Sequence, residues 1–210
     1  MSDYELSRRY IDEQTEERAE QAHARRMALE HGLLTVSPTL GAHLAFVAAA
    51  LGAERIIEVG STAGLTSTWL RRGAPRAVLT CLDAESEYLA ETRQALVAAG
   101  HAPARIRCIA GEPLELLPRM SDDSYDLVVI AGDPAHAAGH LQHALRIARP
   151  GGAILVLDAL AGGRVADPAR RDPVTSSLRA LLRELQRHPD LAASVLPIDG
   201  GVLQLTTVAG

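Results

Sequence analysis

From residue 55 onward, short continuous apolar runs alternate with longer stretches in which apolar positions recur at helical spacing. Ile56 and Ile57 open the first run, β-branched and suited to a strand buried on both faces. Residues 77–82, 105–110, 124–130 and 153–157 repeat that character and read as further strands. Helical patterns lie between them. One carries Leu65, Trp69 and Leu70, one covers 87–99 and stops at Gly100, and a short one covers 114–120. Another covers 136–149 and is ended by Pro150-Gly151-Gly152. Residues 175–188 form an amphipathic helix with Leu178, Leu181, Leu182 and Leu185 on its core side. Residues 195–198 and 202–208 flank an Asp199-Gly200-Gly201 turn as a hairpin. Repeated strand–helix units predict a doubly wound α/β fold, with a mostly parallel sheet, helices on both faces and right-handed crossovers.

The first part of the chain is different. Residues 1–31 are rich in Glu, Arg and Ala, helical in composition and without Gly or Pro. Their apolar positions, Tyr4, Leu6, Tyr10, Ile11, Met27 and Leu29, are too sparse for a core helix. A solvated face and an arm, covering a ligand cleft or packing on a second subunit, are both open readings. Residues 33–51 read as a turn at Ser37-Pro38 and Gly41, then an apolar helix over 43–50 that His43 decorates. At 210 residues the chain fits one domain, residues 1–34 being a helical arm. With 47% hydrophobic and 22% charged residues it has the composition of an ordinary globule. A net charge of −5 offers phosphates no basic surface, so no nucleic-acid partner is expected. The polar start and the lack of a long apolar run predict a cytoplasmic protein with no membrane partner. Cys81 and Cys108 both fall in buried strands and read as packing thiols in a reduced cytosol, with neither disulfide nor metal spacing.

The candidate chemistry begins at residues 55–83. A strand runs into Glu58-Val59-Gly60-Ser61-Thr62-Ala63-Gly64, a helix follows, and the next strand ends on Asp83. Doubly wound sheets bind nucleosides at such a place: glycines let the ligand approach the backbone and the acid takes the ribose hydroxyls. With glycines at 60 and 64 only, the dinucleotide G-x-G-x-x-G fingerprint is incomplete, and the turn lacks the Lys of a phosphate-binding P-loop. A plain packing turn is the remaining alternative. Glu112, at the end of the 105–110 strand, points into the same crevice, where it could accept from an adenine amine or simply face solvent.

Glu58-Val59-Gly60, Tyr125-Asp126-Leu127-Val128, Arg149-Pro150-Gly151-Gly152 and the Gly162–Pro168 run (GGRVADP) resemble small bacterial class I S-adenosylmethionine-dependent O-methyltransferases related to catechol and caffeoyl-CoA O-methyltransferases. The resemblance runs from about Val36 to the end. It implies a Rossmann-like seven-stranded sheet with an antiparallel last strand, a homodimer, S-adenosylmethionine as cofactor and a small-molecule acceptor. By position it implies that Glu58 and Gly60 line the methionine side, with Ser61 and Gly64 in the same turn. Thr66 would hold the carboxylate, Asp83 the ribose, and Ala131 would face the cofactor.

One departure from the family pattern changes the chemistry. The family's central strand runs into Asp-Ala-Asp-Lys, whose first Asp binds a divalent metal and whose Lys serves as base or charge partner. Here the chain reads Ala131-Gly132-Asp133-Pro134, and the family's Asp-Asn ligand pair reads Asp158-Ala159. One carboxylate does not make an octahedral site for a hard cation, so a divalent metal is not expected. Another base must then activate a hydroxyl that the metal would otherwise acidify, unless the acceptor needs no activation or the chain is a non-catalytic binder. Asp133, His136 and Asp158 are the candidate catalytic residues. His136, His140 and His143 share one helix face, which could hold zinc or simply be wet. The loop over 159–173, with Arg164, Asp167, Arg170, Arg171 and Asp172, could shape the acceptor pocket or join a dimer contact.

Overall fold

The computed structural model describes residues 2–208. Two helices come first, α1 (Asp3–Gln14) and α2 (Ala19–Glu30), then α3 (Pro38–Ala50). The alternating part follows as β1 (Arg55–Val59), α4 (Leu65–Gly73), β2 (Val78–Asp83), α5 (Ser86–Ala98), β3 (Ile106–Ala110) and α6 (Pro113–Leu116). It continues with β4 (Tyr125–Ile130), α7 (Ala137–Ile147), β5 (Ala148–Val156), α8 (Pro173–Leu185) and the hairpin β6 (Leu191–Leu196) and β7 (Val202–Thr207). The sheet order is β3-β2-β1-β4-β5-β7-β6. The first five strands run parallel and β7 runs antiparallel to both β5 and β6, as expected. Among the described residues no helix is long and apolar enough to cross a membrane.

Strand periodicity sorts the core into two layers. Ile56, Leu79, Leu127 and Val129 face α3, α4 and α5, where they meet Leu44, Trp69, Leu70 and Leu96. Ile57, Val59, Leu82, Val128 and Ile130 face the other way, onto Leu141 and Ile147 of α7 and Leu178 and Leu182 of α8. Neighbouring strands β1 and β4 have helices on opposite faces, so the sheet's winding reverses between them. A crevice forms at such a reversal, beyond the strands' carboxyl ends.

Four local readings are corrected. Residues 1–31 are not uniformly too polar to pack: α1 buries nothing, but α2 buries Gln21, Ala24 and Ala28 against α4 and α5. The buried stripe is built from small residues and a Gln whose amide donates to the Thr68 carbonyl at 3.3 Å, a pattern that apolar counting does not register. Helix α3 starts at Pro38, five residues before His43, because the Ser37 hydroxyl caps it by accepting from the Leu40 N–H at 3.1 Å. His43 ties that helix to the sheet through Gln204 at 3.1 Å. Residues 148–152 open β5 instead of only ending a helix: Ala148 pairs with Tyr125, and a register shift follows. Finally, Cys108 lies half-buried on the edge strand, directly opposite buried Cys81.

The 159–173 loop is fastened to α8. The Arg179 guanidinium donates to the carbonyls of Val165, Asp167 and Arg170, and Asp172 caps the helix by accepting from the Thr175 N–H.

Candidate functional site

The crevice is built around one close approach. Gly60 follows β1 with φ +84°, and a Cβ there would lie 2.5 Å from the Gly132 nitrogen, just past β4. Only glycine lets the two strand ends meet in this way. Beside it Asp83 gathers the turn: one carboxylate oxygen accepts from the Ser61 N–H at 2.5 Å and the other from the Glu85 N–H at 2.8 Å. The Ser61 hydroxyl pairs with Thr92 Oγ1 at 2.8 Å and so fixes the turn to α5. Gly64, φ +88°, starts α4.

Two lobes meet at this point, of about 310 and 240 Å³. Both are lined by Gly60, Asp83, Gly132 and Asp133. The larger lobe adds Leu33, Leu34, Tyr88, Ala131 and Asp158. The smaller adds Glu112, Leu114, His136 and His140. The segment after α2 therefore forms one wall of the crevice, which favours the covering reading of the arm. Tyr88, whose ring is tilted against that of His31 with centroids 5.0 Å apart, was not legible in the sequence because nothing marks one helix tyrosine as cleft-facing.

Glu58 and Thr66, expected at the methionine side, line neither lobe. Glu58 shares the strand face of Ile56, so its side chain points under α4 and is 1% exposed. There it accepts from the Thr66 and Ser67 hydroxyls and from the Cys81 thiol at 3.8 Å. Burial raises its pKa to about 7, against the hydroxyl groups of Ser67 and Thr66. Thr66 also pairs with Thr62 Oγ1 at 2.8 Å, so its hydroxyl is already engaged within the protein. These two residues brace the turn from beneath.

Among the candidate catalytic groups, Asp158 and Asp133 share the larger lobe, whereas His136 sits with His140 in the smaller one. Asp133 accepts from the Ala135 N–H at 2.8 Å and caps a 3₁₀ turn. Asp158 stands at φ +52° and accepts from the Gly162 N–H at 2.8 Å. Burial lifts its pKa above the ordinary value, opposed by that N–H and by Arg164. The histidine face is not wet throughout: His140 is 4% exposed.

The O-methyltransferase family's sequence profile matches residues 10–207. A protein of Mycobacteroides abscessus whose given name is that of an O-methyltransferase is 38% identical over 186 residues, covering 88% of this chain and 86% of its own. The chain belongs to the O-methyltransferase family. A crystal structure of a Corynebacterium glutamicum protein superposes with a TM-score of 0.92 at 30% identity, covering 100% of this chain and 99% of that one. The fold is also that of the O-methyltransferase TomG from Streptomyces achromogenes, involved in tomaymycin synthesis and solved with S-adenosylmethionine. That pair has a TM-score of 0.87 at 23% identity over 100% of both chains.

The divalent metal of the family pattern was not expected here, and the residues at its positions do not supply its donor set. By the resemblance two of its ligands would fall at Ala131 and Ala159, which are 6% and 2% exposed and have no donor side chain. Among the described residues no group of three or more His, Cys, Asp or Glu is arranged to hold a metal ion.

Proposed function

We propose that the protein transfers a methyl group from S-adenosylmethionine to a hydroxyl of a small molecule, with a protein carboxylate in place of the family's metal. The observation that carries this reading is the charge of the crevice. Asp83, Asp133, Asp158 and Glu112 line it, no arginine does, and the chain has no lysine. Such a lining disfavours a dinucleotide or a nucleoside triphosphate, whose phosphates need donors, and suits a nucleoside carrying a sulfonium and an ammonium. Asp83 at the junction takes the ribose, the methionine part extends beneath Leu33 and Leu34, and Ala131 lies against it. Gly60, Ser61 and Gly64 shape the turn.

Within this reading Asp158 is the base. The acceptor oxygen attacks the methyl carbon in line with the carbon–sulfur bond, whose electron pair leaves on sulfur, and the hydroxyl proton passes to Asp158. Its lifted pKa narrows the gap to the acceptor, and the crevice supplies alignment. Asp133 and the more remote His136 then shape the walls. The homodimer implied by the resemblance is supported by Phe46 on α3, a large apolar side chain left 68% exposed.

The test is calorimetric titration of S-adenosylmethionine and S-adenosylhomocysteine, with Mg²⁺ and with EDTA. Both ligands are expected to bind with an affinity that EDTA leaves unchanged. Asp83→Ala is expected to weaken S-adenosylhomocysteine about tenfold, the size of lost hydrogen bonds to a charged group. Affinity that collapses in EDTA would refute the metal-free reading, and no binding of either ligand would refute the cofactor.

A further inference from the structure

The smaller lobe is walled by a buried histidine. His140, near the start of α7, is 4% exposed, and its ring forms part of the lobe wall beside Asp83, Glu112 and Leu114. Its Nδ1 is buried and has no hydrogen-bond partner. The ring is held from two sides. Its Cε1 lies 3.7 Å from the place a Cβ on Gly132 would occupy, and the His136 ring is tilted over it at 6.0 Å between centroids. Burial first, then the neighbouring His136 and His143, pushes its pKa down to about 4, with Asp133 opposing. The imidazole is therefore neutral at pH 7, with one N–H donor and one acceptor nitrogen. A neutral imidazole in the wall offers a ligand either an N–H donor or a nitrogen acceptor.

We propose that His140 is a specificity-determining residue that reads the purine of the cofactor, donating from its ring N–H to a purine ring nitrogen. The proposal rests on the crevice being the S-adenosylmethionine site. With the ribose on Asp83 and the methionine part in the lobe of Asp158, the base enters the lobe of His140. Adenine presents an amine donor and ring-nitrogen acceptors along its edge. Glu112, an exposed carboxylate on the rim, can only accept, so it serves the amine and cannot serve the ring nitrogens. His140 is the buried side chain in the lobe that can donate to them.

The experiment is a ligand–protein cycle read by calorimetry. S-adenosylhomocysteine and its 1-deaza, 3-deaza and 7-deaza counterparts, each lacking one ring nitrogen, are titrated into the wild type, His140→Phe and His140→Gln. The wild type is expected to lose about tenfold in affinity for one of the deaza ligands. His140→Phe is expected to lose about tenfold for S-adenosylhomocysteine and to be indifferent to that same deaza ligand. His140→Gln, which keeps a donor, is expected to recover part of both, and it carries the test if the Phe variant does not fold. A merely structural histidine would weaken every ligand equally, and that result would overturn the proposal, as would unchanged binding in both variants. A wild type that binds no S-adenosylhomocysteine would overturn the cofactor reading itself and the proposal with it.

Discussion

Gly60→Ala is expected to cost about 4 kcal/mol of folding stability and to abolish S-adenosylhomocysteine binding. Two effects add. At φ +84° a residue with a Cβ is strained whatever space it has. The added carbon would also lie 2.5 Å from the Gly132 nitrogen and 2.6 Å from its Cα, both main chain. No side chain can swing aside, so the ends of β1 and β4 would have to part. The same two glycines form the floor of both lobes, so a folded variant would still lack the crevice. Gly64→Ala is the control. Its φ is +88°, but its Cβ would lie 3.1 Å from the Thr92 Cα, a contact that a small shift relieves. A cost of about 1–2 kcal/mol with binding retained is expected there. Urea unfolding and calorimetry on the two variants provide the comparison. If Gly60→Ala stays within about 1 kcal/mol of wild type and binds S-adenosylhomocysteine, the close approach is not what forms the site.

Gly60 also shows which parts of the molecule could be read from residues alone. The strand, small-residue turn and Asp83 were legible because each depends on local chain geometry: a β-branched run, a positive φ, an acid ending a strand. The parallel order followed from repetition of that unit. Glu58 lies outside both lobes for a reason equally local. Side chains alternate along a strand, and the two faces of β1 differ only in which helix covers them, which no residue in β1 specifies. Thr66 went with it, since its hydroxyl meets the carboxylate that alternation sends beneath α4. The buried stripe of α2 escaped because Gln21, Ala24 and Ala28 carry little hydrophobic signal. His140 was visible as a member of a helix face, but its burial depends on α7 lying against β4 and β5. Contacts between elements distant in sequence decided each of these placements.

The same buried Glu58 sets the second large expectation, a fall in stability from acid toward neutral pH. Its carboxyl is raised from 4.5 to about 7, chiefly by burial, with the charge on Asp83 adding to it. A carboxyl that holds its proton more tightly folded than unfolded stabilises the fold fully below the unfolded value. That contribution is lost as pH rises from about 4.5 through about 7. The displacement corresponds to about 3 kcal/mol. Asp158, also lifted by burial, adds to the slope. Asp126, held below the ordinary value despite its burial by Arg149 and the main-chain N–H groups of Arg55 and Glu54, acts oppositely and in a more acid window. Glu58→Gln isolates the effect, because an amide of the same shape does not titrate. The Ser67 hydroxyl, now a donor to the carboxylate, can rotate to accept from the amide. Unfolding free energies of wild type and variant, measured from pH 4.5 to pH 8, should diverge by about 3 kcal/mol in favour of the variant as pH rises. Curves that stay parallel across that window would mean that Glu58 keeps an ordinary pKa and that its hydroxyl partners, not burial, control its charge.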